Sequence, residues 1–216
     1  MSSICNKPPV VDPGFSAHRD LYQRVDDPIA TGSAHFMRAG SELHLMHSDL
    51  ELNDRRQAVV RASCAAAAVK AALTEYRTSH RIAQELGFYA VHDDLLRSAG
   101  DGTVPVHETL GGAHDADLVD LPESEVDALA RRYADGGDEA AFGHFLSALT
   151  ELSTELDGFA EEAVTASPAD VQRFAWRAIT RFDRIRAYGQ AMAVINILGT
   201  ARMVTAGATD GRRTDG

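Results

Sequence analysis

Cysteine is scarce in this chain of 216 residues, which contains only Cys5 and Cys64. Two thiols cannot build the disulfide framework that stabilises many small secreted domains. The N-terminus also lacks a basic segment followed by an apolar one, so we expect no signal peptide. Because Cys64 lies in an apolar stretch and Cys5 in a proline-containing one, the expected location is the cytoplasm, with both thiols reduced.

Positive charge is also scarce. The 21 Lys and Arg residues are outnumbered by 32 Asp and Glu residues, which gives a formal net charge of −11. Nucleic acids and anionic membrane surfaces attract proteins whose Lys and Arg are clustered and in excess. The apolar run at residues 191–198 is far shorter than the roughly 20 residues of a membrane span. We therefore expect neither nucleic acid nor a membrane as a partner.

The common catalytic and cofactor motifs are absent as well. The chain contains no Glu-x-x-His pair of the di-iron bundles, no His-Glu-x-x-His zinc motif and no Cys-x-x-Cys. It also contains no phosphate-binding P-loop, no dinucleotide-binding glycine motif and no Gly-x-Ser-x-Gly nucleophile elbow. These absences reduce the number of possible functions more than any motif that is present.

Helical periodicity dominates what is present, most clearly in residues 167–206. Ser167 can cap this segment, Pro168 suits the first helical position, and Asp170 stands at capping-box spacing. Its apolar residues recur every three or four positions, as expected for one buried helix face: Val171, Phe174, Ala178, Phe182, Ile185, Met192 and Ile195. From residue 191 the segment becomes apolar on every side except at Asn196, which is typical of a central helix or an oligomer interface.

Shorter helices are predicted before this segment, and no stretch favours a strand. Their predicted bounds are 15–25 and 33–52, separated at Pro28, then 54–86, 88–96, 122–134 and, after a tight turn at 135–138, 139–166. The sequence thus predicts an all-α, single-domain bundle of about five to seven helices with a long C-terminal helix. The predicted parts are an extended arm at 1–15, a helical domain at 16–206 with an irregular loop at 98–121, and a disordered tail at 207–216.

An arginine row on the last helix is the first candidate for ligand binding. Arg173, Arg177 and Arg181 are the ligand-binding candidates in a row that continues to Arg184 at helical spacing. Glu151, Glu155 and Glu162 form an acidic row on the preceding, antiparallel helix. The arginines are either a salt-bridged surface or a site for a carboxylate or phosphate.

Asn196, the one polar side chain of the apolar run, completes the ligand-binding candidates. It is interpreted either as a buried amide that fixes the register of neighbouring helices or as a ligand contact.

Histidines supply the candidates for metal binding and catalysis. His44, His47 and Glu51 follow one helix edge at positions i, i+3 and i+7, so they can form a metal site or merely a polar edge. His144 lies beside an apolar helix face and is either a core histidine, a catalytic base or an axial haem ligand. His107 falls in the 98–121 loop, which is either a lid over a site or a mobile loop.

Two short passages resemble known families without matching them. The passage His92-Asp93-Asp94 resembles the aspartate-rich metal motif of class I terpene and prenyl synthases, but Arg97 and Ser98 stand where that motif needs an acid. Residues 36–44, FMRAGSELH, resemble the early helix of tryptophan-dioxygenase-like haem proteins, but Arg38 replaces the expected histidine. No site is carried over from either family.

Three functions remain open on these observations. The favoured one is a helical enzyme of bacterial metabolism that oxidises a small molecule with a His-bound haem or divalent metal. The second is a cofactor-free enzyme that uses a His or carboxylate base. The third is a non-catalytic module, in which the apolar end of the last helix forms a homodimer or binds another partner.

Overall fold

The computed structural model describes the backbone of residues 13–98, 106, 110, 121–163 and 165–210. These residues form five helices and no strand, which confirms the predicted all-α bundle with a long C-terminal helix. The helices are α1 (Pro13–Glu51), α2 (Arg55–Glu85), α3 (Phe88–Ser98), α4 (Glu123–Glu162) and α5 (Pro168–Asp210). Thus α1 begins inside the predicted arm and α5 continues into the predicted tail, while most of the predicted loop lies outside the described residues.

Four long helices pack in a ring and the short α3 closes one end of it. The α1 helix packs along α2, α2 against α4, α4 against α5, and α5 against α1. The links at 52–54 and 163–167 are short, so each of the pairs α1–α2 and α4–α5 runs antiparallel. The α3 helix contacts α2, α4 and α5, so these four helices can all place side chains around one point.

The predicted break at Pro28 is wrong, because α1 continues through this proline. Proline removes one backbone N–H and leaves nearby carbonyls short of donors. Here Ser79 of α2 donates its hydroxyl to the Val25 carbonyl at 2.8 Å, and Thr31 donates to the Asp27 carbonyl at 3.2 Å. Ser79 of the neighbouring helix and Thr31 of α1 itself thus supply donors beside the proline, and the helix continues.

Small residues set the close packing of α1 on α2. Ala65, Ala66 and Ala68 at the centre of α2 are buried, and the helix begins at Arg55, next to the predicted residue 54. The side chain of Asp54 accepts the N–H of Gln57 at 3.0 Å and so caps the N-terminus of α2. Gly87 follows α2 with φ +64°, in the left-handed region that favours glycine after a helix.

The predicted apolar faces of α4 and α5 form the rest of the core. On α5 every residue of the predicted stripe is buried, and on α4 so are Phe145, Leu149, Leu152, Leu156 and Phe159. Phe159 stacks on Phe174 of α5 at a centroid distance of 3.9 Å. Ser167 accepts the N–H of Asp170 at 3.2 Å, which is the cap predicted for α5. These contacts hold the polar faces of α4 and α5 side by side.

Gly40 provides a test of the close approach between α1 and α5. A Cβ atom at this position would lie 2.5 Å from Cζ of the buried Phe182, whose ring stacks on Phe36 at 4.4 Å. We expect Gly40→Ala to lower the free energy of unfolding by about 1–3 kcal/mol in urea denaturation. The matched change is Gly143→Ala, where a Cβ meets nothing within 4 Å. It should raise stability by about 0.5–1 kcal/mol through helix propensity, and equal effects of the two changes would contradict this packing.

Candidate functional site

A groove between the polar faces of α4 and α5 collects four of the nine predicted site residues. Its volume is about 680 Å³, which lies in the range of small-molecule pockets. We call it the arginine groove, and its lining includes His144, Trp176, Arg173, Arg177, Arg181 and Arg184. The structure therefore brings the predicted catalytic residue His144 together with all three predicted arginines.

The predicted pairing of the arginine and glutamate rows is confirmed inside this groove. Arg181 bridges Glu151 and Glu155, with 2.9 Å to the latter, and Arg177 lies 3.1 Å from Glu155. Arg184 makes a longer contact of 3.9 Å with Glu125. Exposed ion pairs of this kind contribute about 0–1 kcal/mol each, so they orient the guanidinium groups more than they hold the helices.

His144 stands at one end of the arginine groove, against Tyr188. The two rings meet edge to face with centroids 5.2 Å apart, and the Arg132 guanidinium lies 5.9 Å from the centre of the Tyr188 ring. Partial burial, and then the positive charge of Arg132, lower the pKa of His144 below its ordinary value. The imidazole is therefore neutral at pH 7 and able to accept a proton.

Trp176 stands at the other end of the groove and is 54% exposed. Its indole packs against the imidazole of His47 on α1, with centroids 4.5 Å apart. Trp176 and Tyr188 are twelve residues apart on one helix, or about 18 Å along its axis. His47 and His144 therefore lie at opposite ends of the groove and cannot bind the same metal ion.

The predicted metal-binding residues do not converge in the structure. His47 pairs with Glu51 at 3.4 Å, while His44 is exposed and its Nδ1 donates to the Gly40 carbonyl of its own helix at 2.8 Å. Among the described residues, no three His, Cys, Asp or Glu side chains are grouped closely enough to hold a metal ion. The other predicted catalytic residue, His107, lies outside the described residues.

Asn196 is separated from the arginines and belongs to a buried polar network. Its Oδ1 lies 3.2 Å from Nε2 of His92 and 3.5 Å from the hydroxyl of Tyr133. The other ring nitrogen of His92 lies 2.9 Å from the Tyr22 hydroxyl. In the neutral ring, Nε2 thus donates to Asn196 while Nδ1 accepts from Tyr22. The alternative prediction for Asn196, a buried amide satisfied by neighbouring helices, matches these contacts.

Asp138 is the ionisable group at the centre of this network. The Tyr133 hydroxyl donates to its Oδ1 at 2.9 Å, and the Asn196 side chain also hydrogen-bonds to it. Its backbone N–H donates to Oδ1 of Asp93 at 3.0 Å. Burial raises the pKa of the Asp138 carboxyl, and Asp93 raises it further, while His92 and the two hydrogen bonds oppose them. Side chains of α1, α3, α4 and α5 thus contribute to one cluster, in which His92, Tyr133 and Asp138 are buried and Tyr22 and Asn196 are half-buried.

Sequence reasoning missed five members of the network: His92, Asp93, Tyr22, Tyr133 and Asp138. The first two were examined only as part of a metal motif, and Asp138 only as part of a tight turn. A usable signal was present, because His92 follows Phe88 by four positions and therefore lies on the buried face of a short apolar helix. The hydrogen-bond partners of His92 could not be predicted in this way, because they depend on how the helices pack.

The network predicts a large penalty for loss of the Asn196 amide. Asn196→Ala leaves His92 Nε2 and the Asp138 carboxylate each short of a buried partner, so we expect stability to fall by about 2–4 kcal/mol in urea denaturation. Gln190→Ala is the matched control, since it removes an exposed amide from the same helix. If Asn196→Ala lowers stability no more than Gln190→Ala does, the hydrogen bonds of the network do not depend on Asn196.

Comparisons with known proteins add no family. No protein-family model, curated protein or solved structure matches this chain. Among the described residues, no helix combines the length and the apolar content that crossing a bilayer requires. Any functional conclusion therefore depends on the residues of the arginine groove and of the buried network.

Proposed function

We propose that this protein is an enzyme that binds a small anionic substrate in the arginine groove and uses His144 as a general base. The observation that carries the proposal is that a neutral imidazole and a row of guanidinium groups line one groove of small-molecule size. The neighbouring groove, between α2 and α4, has a similar volume of about 760 Å³. No His is among its lining residues, so it offers no comparable base.

The charge of the groove favours an anion. A chain of net charge −11 repels anions over most of its surface, whereas this groove is lined by four arginines against three glutamates, Glu125, Glu151 and Glu155. Arg177 and Arg181 are held by Glu155, whereas the nearest carboxylate to Arg184 is 3.9 Å away. A substrate carboxylate or phosphate would gain most at Arg184, since a guanidinium binds such groups through paired hydrogen bonds.

The ends of the groove suggest how a substrate would lie. Trp176 offers an exposed ring face supported by His47, which suits an aromatic or other flat apolar group. A substrate that contacts Trp176 and extends past Arg184 would reach the imidazole of His144, one turn further along.

The cofactor-free form of the proposal requires the fewest additional groups. His44, His47 and His144 do not meet in one site, so a haem or metal enzyme would have to use one histidine with ligands other than these. Haem- or metal-dependent oxidation stays a prediction, which a haemin titration monitored near 400 nm would test. Homodimer formation through the apolar end of α5 also stays a prediction.

Ligand binding is directly measurable, because Trp176 is the only tryptophan of the chain. We expect phenyl phosphate and benzoate to change its fluorescence saturably, and inorganic phosphate to bind more weakly. Arg184→Ala should weaken phenyl phosphate binding roughly tenfold or more, the effect of a lost charge-assisted hydrogen bond. Arg186→Ala is the control, because this exposed arginine pairs with Asp183 and does not line the groove. Absence of saturable binding by all three probes would refute an anion site.

The state of His144 is a separate prediction. Because Arg132 lowers its pKa, we expect Arg132→Ala to move the NMR titration of the His144 ring to higher pH. Arg131→Ala removes the same charge from the exposed neighbouring position and should leave the titration nearly unchanged. The His144 signal is assigned by its loss in His144→Gln. A titration at or above the ordinary value of about 6.5 in the unmodified protein would argue against a neutral base.

A further inference from the structure

The α4 helix is broken at Gly137, although helical residues continue on both sides. Gly137 has φ 66° and ψ −158°, which only glycine adopts readily. A Cβ atom there would overlap the carboxylate of Asp93. The Tyr133 hydroxyl spans the break and donates to Asp138 at 2.9 Å. The first half of α4, residues 123–135, is thus joined to the second by a two-glycine link and one buried hydrogen bond.

The second half of α4 begins at a helix N-terminus that α3 caps. Backbone N–H groups in the first turn of a helix lack partners within that helix. Asp93 of α3 supplies an acceptor for one of these groups, since its Oδ1 accepts the Asp138 N–H at 3.0 Å. A carboxylate is favoured at this end of the helix dipole. The cap therefore also ties α3 to the break.

We propose that this break is a proton-controlled hinge, held closed while the buried Asp138 carboxyl is protonated and released when it ionises. Asp138 is only 4% exposed and neighbours a second buried carboxylate, Asp93. If both carboxyl groups ionise, two negative charges lie close together and away from water. This arrangement is unfavourable unless a cation compensates. An open hinge lets water reach Asp138 and removes that penalty.

Titratable groups from four helices surround the hinge, and their charges act in both directions. The Asp93 carboxylate opposes ionisation of Asp138, while the hydrogen bonds from Tyr133 and Asn196 favour it, as does His92 when its ring is protonated. Its ring also interacts electrostatically with Asp26 of α1, whose own pKa is raised by burial and by Asp27. The titratable groups around Asp138 and the residues that contact it are Tyr22 and Asp26 on α1, Tyr89, His92 and Asp93 on α3, Tyr133 and Glu139 on α4, and Tyr188 on α5.

The direction of the pH response follows from linkage. Burial raises the pKa of Asp138 in the closed state, and exposure in the open state returns it towards 3.8. The closed state therefore binds the proton more tightly, and opening becomes more favourable as pH rises from about 3.8 to the closed-state pKa. The opening equilibrium should grow about tenfold for each pKa unit that separates the two states.

Opening of the hinge would change one end of the arginine groove. The first half of α4 carries Glu125, which lines the groove, and Arg132, which lowers the pKa of His144. This consequence rests on the proposed function, whereas the hinge itself does not. The hinge is accordingly tested by backbone exchange at the break, without any ligand.

Hydrogen exchange of the full-length protein between pH 4 and 8 tests the hinge. The amides of residues 134–142 are followed, and rates are corrected for the pH dependence of intrinsic exchange. We expect the opening equilibrium to increase with pH and then level off. In Asp138→Asn the increase should disappear, because the amide mimics the protonated carboxyl and cannot ionise. Asp135→Asn, which removes an exposed carboxylate from the same link, should behave like the unmodified protein.

A second variant keeps the test valid if Asp138→Asn does not fold. Tyr133→Phe removes a hydrogen bond that favours the ionised Asp138 carboxylate. The opening equilibrium should therefore keep increasing to a higher pH before it levels off. The proposal is overturned if opening of the unmodified protein is independent of pH, or if Asp138→Asn keeps the same pH dependence. It is equally overturned if Tyr133→Phe levels off at the same or a lower pH.

Discussion

The course of α4 depends on one interaction, the hydrogen bond from the Asp138 N–H to the Asp93 carboxylate beside Gly137. This bond allows a helix to restart after a glycine turn without an unpaired N–H in the interior. The same bond requires that the Asp93 carboxylate be buried, and the side chain of Asp138 is buried with it. The polar residues gathered around this point are a consequence, because buried charges must be paired or hydrogen-bonded.

The network explains why four helices meet with a defined register. Tyr22 of α1, His92 of α3 and Asn196 of α5 are joined in sequence by hydrogen bonds of 2.9 and 3.2 Å. A shift of any one helix by a single residue would leave polar atoms unsatisfied inside the protein, whereas apolar packing tolerates small shifts more readily. Polar contacts therefore specify the geometry, and the alanine and aromatic faces supply most of the burial.

The arginine groove and the buried network share α4 and α5 but differ in solvent contact. The groove lies where salt-bridged faces meet water, so its ion pairs are weak and an anionic ligand can compete with them. The network is centred on the buried side chains of His92, Tyr133 and Asp138, so its hydrogen bonds are hard to replace. Tyr188 connects the two regions, since its ring touches His144, and burial, with a smaller contribution from Asp138, raises its pKa to about 12.

The sequence by itself determined the helices, their caps and their apolar faces, because these follow from local periodicity and capping chemistry. It also predicted the pairing of Arg181 with Glu151 and Glu155, since a short link makes α4 and α5 antiparallel. Only the tertiary structure decided that α1 continues through Pro28 and that His47 packs against Trp176 of α5. It alone placed His92, Asp138 and Asn196 together, because residues up to 104 positions apart meet only after the helices have packed.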